Sequence, residues 1–255
     1  MESYLYSDLY ELEDKHWWHK AKRKRVVSLI QEFSKQKNPK IADIGCGTGK
    51  NVEVFSRIGT AWGVDPSKDA IAFCKKRKLK HLKLGTIEKT GFTDGSLDIV
   101  TILDVLEHID NEDAAITELK RILKKDGMLV LTVPAFTFLW SQWDVVLHHK
   151  RRYTTTQISD LLEKHGFQIQ TLSYMYPWLV LPAYLVRFFK SKNSDEQYAS
   201  DFQLSHPIVN QLIGIVTDIE QWLMRYIHFP IGTSIICVAF KKGSQPRSKK
   251  SKNNR

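Results

Sequence analysis

Beyond residue 39 the chain alternates short apolar runs with amphipathic stretches. The runs at residues 40–44, 61–64, 81–84, 97–103 and 128–133 read as buried strands. Between them, residues 52–57, 68–76 and 113–123 carry helical spacing. Gly127, just past Lys124-Lys125-Asp126, predicts the end of the third of these helices. A further helix is expected at 154–165, with Thr155 or Thr156 as its N-cap and Gly166 as its stop; strands follow at 167–173 and 234–240. Strand–helix alternation at this pitch predicts an α/β, Rossmann-like fold: a seven-stranded, mostly parallel sheet with helices on both faces.

The remaining segments do not follow that rhythm. Residues 1–37 read as an N-terminal helical lid, in which Trp17 and Trp18 diverge by ~100° and cannot both face one core. The core is expected at 38–173 plus 230–241, interrupted by a long apolar insertion at 174–229. In the insertion, a Trp- and Tyr-containing apolar run ends in Arg187 and Lys190, and an amphipathic helix with a wide apolar face begins near Pro207. This suits either a helical cap over a substrate cleft or a helix lying at a bilayer interface.

Composition narrows the classes. At 42% hydrophobic and 26% charged residues the 255-residue chain is of ordinary folded type. No apolar stretch reaches the roughly 18 residues of a membrane span, and residues 1–4 lack the layout of a secretory signal. Three scattered cysteines show neither disulfide nor zinc spacing, so a cytoplasmic location is the default. Of the formal charge of +10, seven positive charges lie at 241–255 without an acid, and only about +3 remains elsewhere. That distribution argues against a specific nucleic-acid partner. Residues 242–255 read as a disordered basic tail.

The chemistry concentrates where the first strand ends. Asp43 precedes Gly45-x-Gly47-x-Gly49, and a second acid, Asp65, follows the next strand in Gly63-Val64-Asp65-Pro66-Ser67. Without Cβ atoms, such a turn lets a ligand lie against the backbone. An acid about 20 residues on sits where a ribose diol would be held. The spacing is not the Gly-x-Gly-x-x-Gly of dinucleotide sites, and Asp43 would repel a pyrophosphate while attracting a cation.

Residues 41–49, 63–67 and 91–109 together resemble the class I S-adenosylmethionine-dependent methyltransferases, and are most similar to the small-molecule branch with the ubiquinone-type O-methyltransferases. The resemblance covers about residues 38–173 and the last strand. It implies that Gly45, Gly47 and Gly49 line the methionine moiety of S-adenosylmethionine near Asp43, and that the Leu103 carbonyl receives the methionine amino group. Asp65 would hold the ribose and Pro66 would pack on the adenine. Thr86 stands where the family usually has an Asp for the adenine amino group, and the Ile87 N–H would serve N1. The run Glu13-x-x-His16-Trp17-Trp18 followed by Arg23 resembles a narrower subgroup, often associated with polysaccharide or lipid biosynthesis. There an aromatic helix lids the cofactor and an Arg reaches its carboxylate, which implies these roles for Trp17 or Trp18 and for Arg23.

Polar residues after the fifth strand are the acceptor-side candidates. His149 or His148 is the expected general base with Asp144 orienting it, and Lys150, Arg151 and Arg152 are candidates for gripping an anionic group. Asp104, Glu107 and His108 could share one helical face. A similar trio is associated with a divalent metal in the ubiquinone-type enzymes, but Leu-Glu-His is also widespread in related enzymes without one. No metal is expected here.

The reading is therefore O-methylation of a small or lipid-linked acceptor, with possible contact to the inner membrane face and no indication of oligomeric state. An NAD-dependent oxidoreductase and a non-catalytic membrane- or RNA-binding protein on the same scaffold are the rivals.

Overall fold

The computed structural model describes residues 3–190 and 207–242. The basic tail beyond Lys242 lies outside the described residues, as do the side chains of Arg187 and Lys190.

The apolar runs form seven strands: β1 (Lys40–Ile44), β2 (Thr60–Asp65), β3 (Leu82–Leu84), β4 (Leu97–Leu103), β5 (Leu123–Pro134), β6 (Phe167–Met175) and β7 (Ser234–Lys241). Their order in one sheet is β3-β2-β1-β4-β5-β7-β6. β7 inserts antiparallel between β5 and β6, and the remaining pairings are parallel. The chain order reverses between β1 and β4, and open α/β sheets bind ligands at the carboxyl ends of the strands at such a reversal.

Helices α3 (Lys50–Phe55), α4 (Lys68–Lys76), α5 (Glu112–Ile122) and α7 (Thr155–Lys164) flank the sheet, with the short α6 (Gln142–Val146) after β5. Ile116, Leu119, Ile158 and Leu162 of α5 and α7 pack one sheet face, and Val52, Phe55 and Cys74 of α3 and α4 pack the other. Thr154 caps α7 by accepting from the Gln157 N–H, one position before the pair expected for that role. α5 ends at Ile122, not at Gly127; Leu123 already pairs with Leu97 and starts β5, and Asp126 turns the chain at φ +67°.

The N-terminal region is two helices, α1 (Ser3–Leu12) and α2 (Trp17–Phe33). His16 breaks between them with extended backbone and caps α2 by accepting from the Trp18 N–H. The two Trp side chains diverge as helical neighbours must. Trp17 packs edge-on against Tyr176 and beside Trp178, whereas the Trp18 ring lies 3.7 Å beneath the Lys22 ammonium.

Buried ions fasten this region to the core. Arg77 from the end of α4 pairs with Glu13 at 2.6 Å, donates to the Thr48 carbonyl at 3.0 Å, and lies over the Tyr10 ring at 4.3 Å. Both partners are nearly inaccessible to water, and Thr48 also donates to Glu13. Removing one member strands the other charge in the interior. Arg77→Met is expected to cost about 3 kcal/mol and to free α1 for proteolysis. Chemical denaturation and limited proteolysis check this; an unchanged midpoint with an intact N-terminus would contradict it.

Candidate active site

Asp43, at the end of β1, is fully buried. One carboxylate oxygen accepts from the Thr101 hydroxyl at 2.5 Å, and the other has no hydrogen-bond partner. Burial pushes its pKa up to about 7, against the Thr101 hydrogen bond, the adjacent Asn51 side chain and the nearby Lys22. A buried carboxylate oxygen without a donor is costly, and it marks where a cationic ligand would be welcome.

The turn beyond it is held open by glycine. Gly45 adopts φ +74°, and a Cβ there would overlap the Val105 side chain. Gly47, at φ +54°, has Leu9 of α1 just beyond the space of its missing Cβ, at 3.3 Å. Gly49 starts α3 as its N-cap. The Gly47 N–H donates to Asp65 at 2.9 Å, as does the Ser67 N–H at the same distance. Burial raises the Asp65 pKa in spite of these two donors. Tyr6 of α1 is buried against this corner, within hydrogen-bonding reach of Ser67 and in the field of Asp65. Thr86, Ile87 and the exposed Pro66 lie on the same rim, since β3 pairs with β2 up to Asp65–Leu84.

The end of β4 forms the opposite wall. Leu103 is buried, and Asp104 follows with left-handed backbone at φ +55°. Lys22, buried on α2, forms an ion pair with Asp104, whose other oxygen accepts from Thr132 at 2.9 Å. Its charge also reaches Asp43 and Glu107. Neither Lys22 nor Arg77 stands out in the sequence as a site residue, because their partners lie 82 and 64 positions away. Arg23 is buried with a guanidinium nitrogen donating to the Glu13 carbonyl at 2.5 Å, which places it behind the hinge between α1 and α2.

On the acceptor side, the structure brings His149 and Asp144 together and leaves His148 apart. His149 Nδ1 lies 2.8 Å from Asp144. Asp144 also accepts from both Arg152 Nε at 2.8 Å and the Ser141 N–H at 2.7 Å. Burial alone would raise the Asp144 pKa, but His149 and Arg152 hold it far below the usual carboxylate range. His148 is exposed, with left-handed backbone at φ +56°, and its carbonyl receives a hydrogen bond from His108. Burial and the neighbouring His149 depress the His108 pKa to about 4, so that imidazole is neutral.

Each member of the basic trio has an acidic partner: Lys150 pairs with Asp110 at 2.5 Å, Arg151 with Glu112 and Arg152 with Asp144 at 2.8 Å. The trio Asp104, Glu107 and His108 does not assemble as a ligand set, since Lys22 holds Asp104. Ligand atoms of Glu107, His108 and His149 lie within 4.8 Å of one another instead. Both Glu107 oxygens are fully buried without hydrogen-bond partners. Tyr176, in left-handed backbone at φ +59°, is a residue the sequence pattern did not single out. Its buried hydroxyl has no hydrogen-bond partner and feels the charges of Glu220 and Asp104.

Comparison with known proteins agrees with this geometry. Residues 42–131 match the family model described as a methyltransferase domain. The ubiquinone/menaquinone biosynthesis C-methyltransferase of Campylobacter jejuni is 32% identical over 124 residues, 45% of this chain and 51% of that protein. A ubiquinone biosynthesis O-methyltransferase of Glaesserella parasuis is 27% identical over 143 residues, 48% of this chain and 61% of that one. The chain thus spans about half the length of the curated relatives it matches. Among solved structures, a chain in the complex of the Haloferax volcanii Trm112 activator with a putative methyltransferase superposes with a TM-score of 0.62 at 12% identity, covering 94% of this chain and 96% of that one. An S-adenosylmethionine-dependent methyltransferase from Archaeoglobus fulgidus gives 0.58 at 19% identity, covering 86% and 92%. Residues 42–131 thus resemble a methyltransferase domain, on a fold shared with S-adenosylmethionine-dependent methyltransferases of known structure.

The elevated Asp43 pKa has a consequence for stability. The folded protein retains a proton there that the unfolded chain releases above about pH 4. Stability from this group is therefore full at low pH and declines as pH rises through about 7. Asp43→Asn, which cannot ionise, should melt higher than the wild type near pH 8 and gain far less near pH 5, as calorimetry across that range would show. A gain independent of pH would contradict the assignment.

Proposed function

We propose that this protein is an S-adenosylmethionine-dependent methyltransferase acting on an oxygen of a small or lipid-linked acceptor. The observation that carries the reading is the unpartnered oxygen of buried Asp43 beside the glycine turn, a site suited to a cation and hostile to a pyrophosphate. Against an NAD-dependent oxidoreductase, this charge argument joins the tight Gly-x-Gly-x-Gly spacing. When bound, S-adenosylmethionine supplies an electrophilic methyl group on a sulfonium.

Gly45, Gly47, Gly49, Asp43 and the Leu103 carbonyl would hold its methionine end, and Asp65, Pro66, Thr86 and Ile87 its adenosine. Tyr6, Leu9 and Lys22 lie against Asp65, the glycine turn and Asp104, so α1 and α2 act as a lid that shifts to admit the cofactor. Trp18 braces Lys22 from below, and Arg23 supports the hinge through Glu13.

His149 removes the acceptor's proton. Its Nδ1–H donates to Asp144, which fixes the tautomer and directs the Nε2 lone pair, 3.9 Å from Glu107, to a hydroxyl proton. The curated relatives include a C- and an O-methyltransferase; either reaction releases a proton, and the oxygen reading sets a hydroxyl against His149.

A titration calorimeter should register S-adenosylmethionine binding by the wild type and none by Asp65→Ala; equal binding by both would remove the assigned site. His149→Ala should keep cofactor binding and lose about 10²- to 10⁴-fold in turnover. Near-normal turnover would remove the base.

A second reading of the same corner rests on the two unpartnered Glu107 oxygens facing His108 and His149. His149 and His108 each give one nitrogen to a carboxylate or carbonyl, an arrangement also found behind metal-binding imidazoles. Turnover lost on chelation and restored by magnesium selects this reading; turnover indifferent to chelation dismisses it.

A further inference from the structure

The inserted helices α8 (Val180–Lys190) and α9 (Pro207–Leu223) carry apolar surface that the fold does not use. α9 has three distinct stripes. One packs on the protein: Thr217, Glu220 and, just past its end, Met224 are buried, Asn210 accepts from the Trp17 N–H at 3.0 Å, and Glu220 accepts from Trp178 at 2.8 Å. A polar stripe of Gln211, Asp218 and Arg225 borders it. The third stripe is apolar and bare. Leu212, Ile215, Ile219, Trp222 and Tyr226 are 58%, 53%, 55%, 55% and 69% exposed, and Val216 lies among them. The spacing of these positions is that of one helical face.

α8 repeats the pattern. Leu181, Tyr184, Leu185 and Val186 are exposed, and Tyr184 meets the equally exposed Phe138 edge-on at 6.2 Å. Trp178, immediately before α8, joins the two helices through Glu220 of α9 and packs beside Trp17 of the lid. α8 thus borders the loop after β5, and α9 packs on the lid.

We propose that the bare faces of α8 and α9 form a docking surface for an anionic lipid bilayer. Charge selects this occupant. The two acids of α9 are withdrawn from the bare face: Asp218 pairs with Lys24 at 2.7 Å, and Glu220 is buried under Trp178. Residues 174–194 contain no acid and three cations, Arg187, Lys190 and Lys192. The chain as a whole carries +10, seven of it in the acid-free stretch 241–255. A run of aromatic and aliphatic residues followed in sequence by cations suits the boundary between headgroups and acyl chains. Among the described residues no helix is long and apolar enough to cross a membrane, so the contact is with the surface. A protein partner matched to this face would need to tolerate the same excess of positive charge; an anionic leaflet attracts it.

Docking stands apart from the methyltransferase reading, and the experiment keeps them separate. The full-length protein is mixed with vesicles of equal parts phosphatidylcholine and phosphatidylglycerol, or of phosphatidylcholine alone, and sedimented. The wild type should co-sediment with the anionic vesicles and much less with the neutral ones. Leu212→Asp with Ile219→Asp, both in exposed positions, should reduce that partition at least about tenfold while leaving the melting temperature and S-adenosylmethionine binding unchanged. Three results would overturn the proposal: no co-sedimentation of the wild type, equal binding of both vesicle types, or undiminished binding by the double variant. A wild-type dimer in solution that the double variant dissociates, without vesicle binding, would assign the face to a second copy of the chain.

Discussion

The site depends on a carboxylate placed where a folded chain rarely leaves one. Asp43 sits at the reversal point of the sheet, fully buried, with one oxygen satisfied by Thr101 and the other, near the Asn51 side chain, without a hydrogen bond of good geometry among the described residues. Its cost is offset in part by Lys22, whose ammonium enters from the lid and is held by Asp104. The arrangement therefore couples three elements that are distant in sequence: β1, the end of β4 and the N-terminal helices. Any cation that meets Asp43 directly changes the balance that holds the lid.

Around that point the molecule divides its charges by task. Arg77, Glu13 and Thr48 form a buried latch that is saturated within the protein, and Asp144 is likewise saturated by Arg152, Ser141 and His149. These groups fix geometry. Glu107, the Tyr176 hydroxyl and the free oxygen of Asp43 are instead buried without hydrogen-bond partners, and all three lie in the electrostatic reach of Asp104 or Lys22. Unsatisfied polar groups around one buried ion pair are expected where a ligand supplies the missing partners.

Much of the fold was legible because it rests on local signals. Alternating apolar runs located all seven strands, and the glycines after β1 with the acid that ends β2 marked the turn proposed to take the cofactor. The antiparallel seating of β7 between β5 and β6 was not legible, since hydrophobic period carries no strand order. The site was legible where one segment suffices, as for Asp144 and His149, five residues apart. It was not legible where tertiary contact assigns the role. The ion pairs of Lys150, Arg151 and Arg152 with Asp110, Glu112 and Asp144 could not be read from the basic run alone. Lys22 looked like one more cation on a basic helix, and Glu13 and Arg23 gained their places only through the break at His16.

The central claim, that the Asp43 carboxylate receives a cationic cofactor, makes proton release an obligatory partner of binding. A group with a pKa near 7 in the free protein must ionise to meet a cation. The direct measurement is calorimetric titration of S-adenosylmethionine near pH 6.5 in buffers of different ionisation enthalpy. The account expects release of a sizeable fraction of one proton per cofactor bound, abolished in Asp43→Asn. Binding without proton release, or with the same release in that variant, would contradict it.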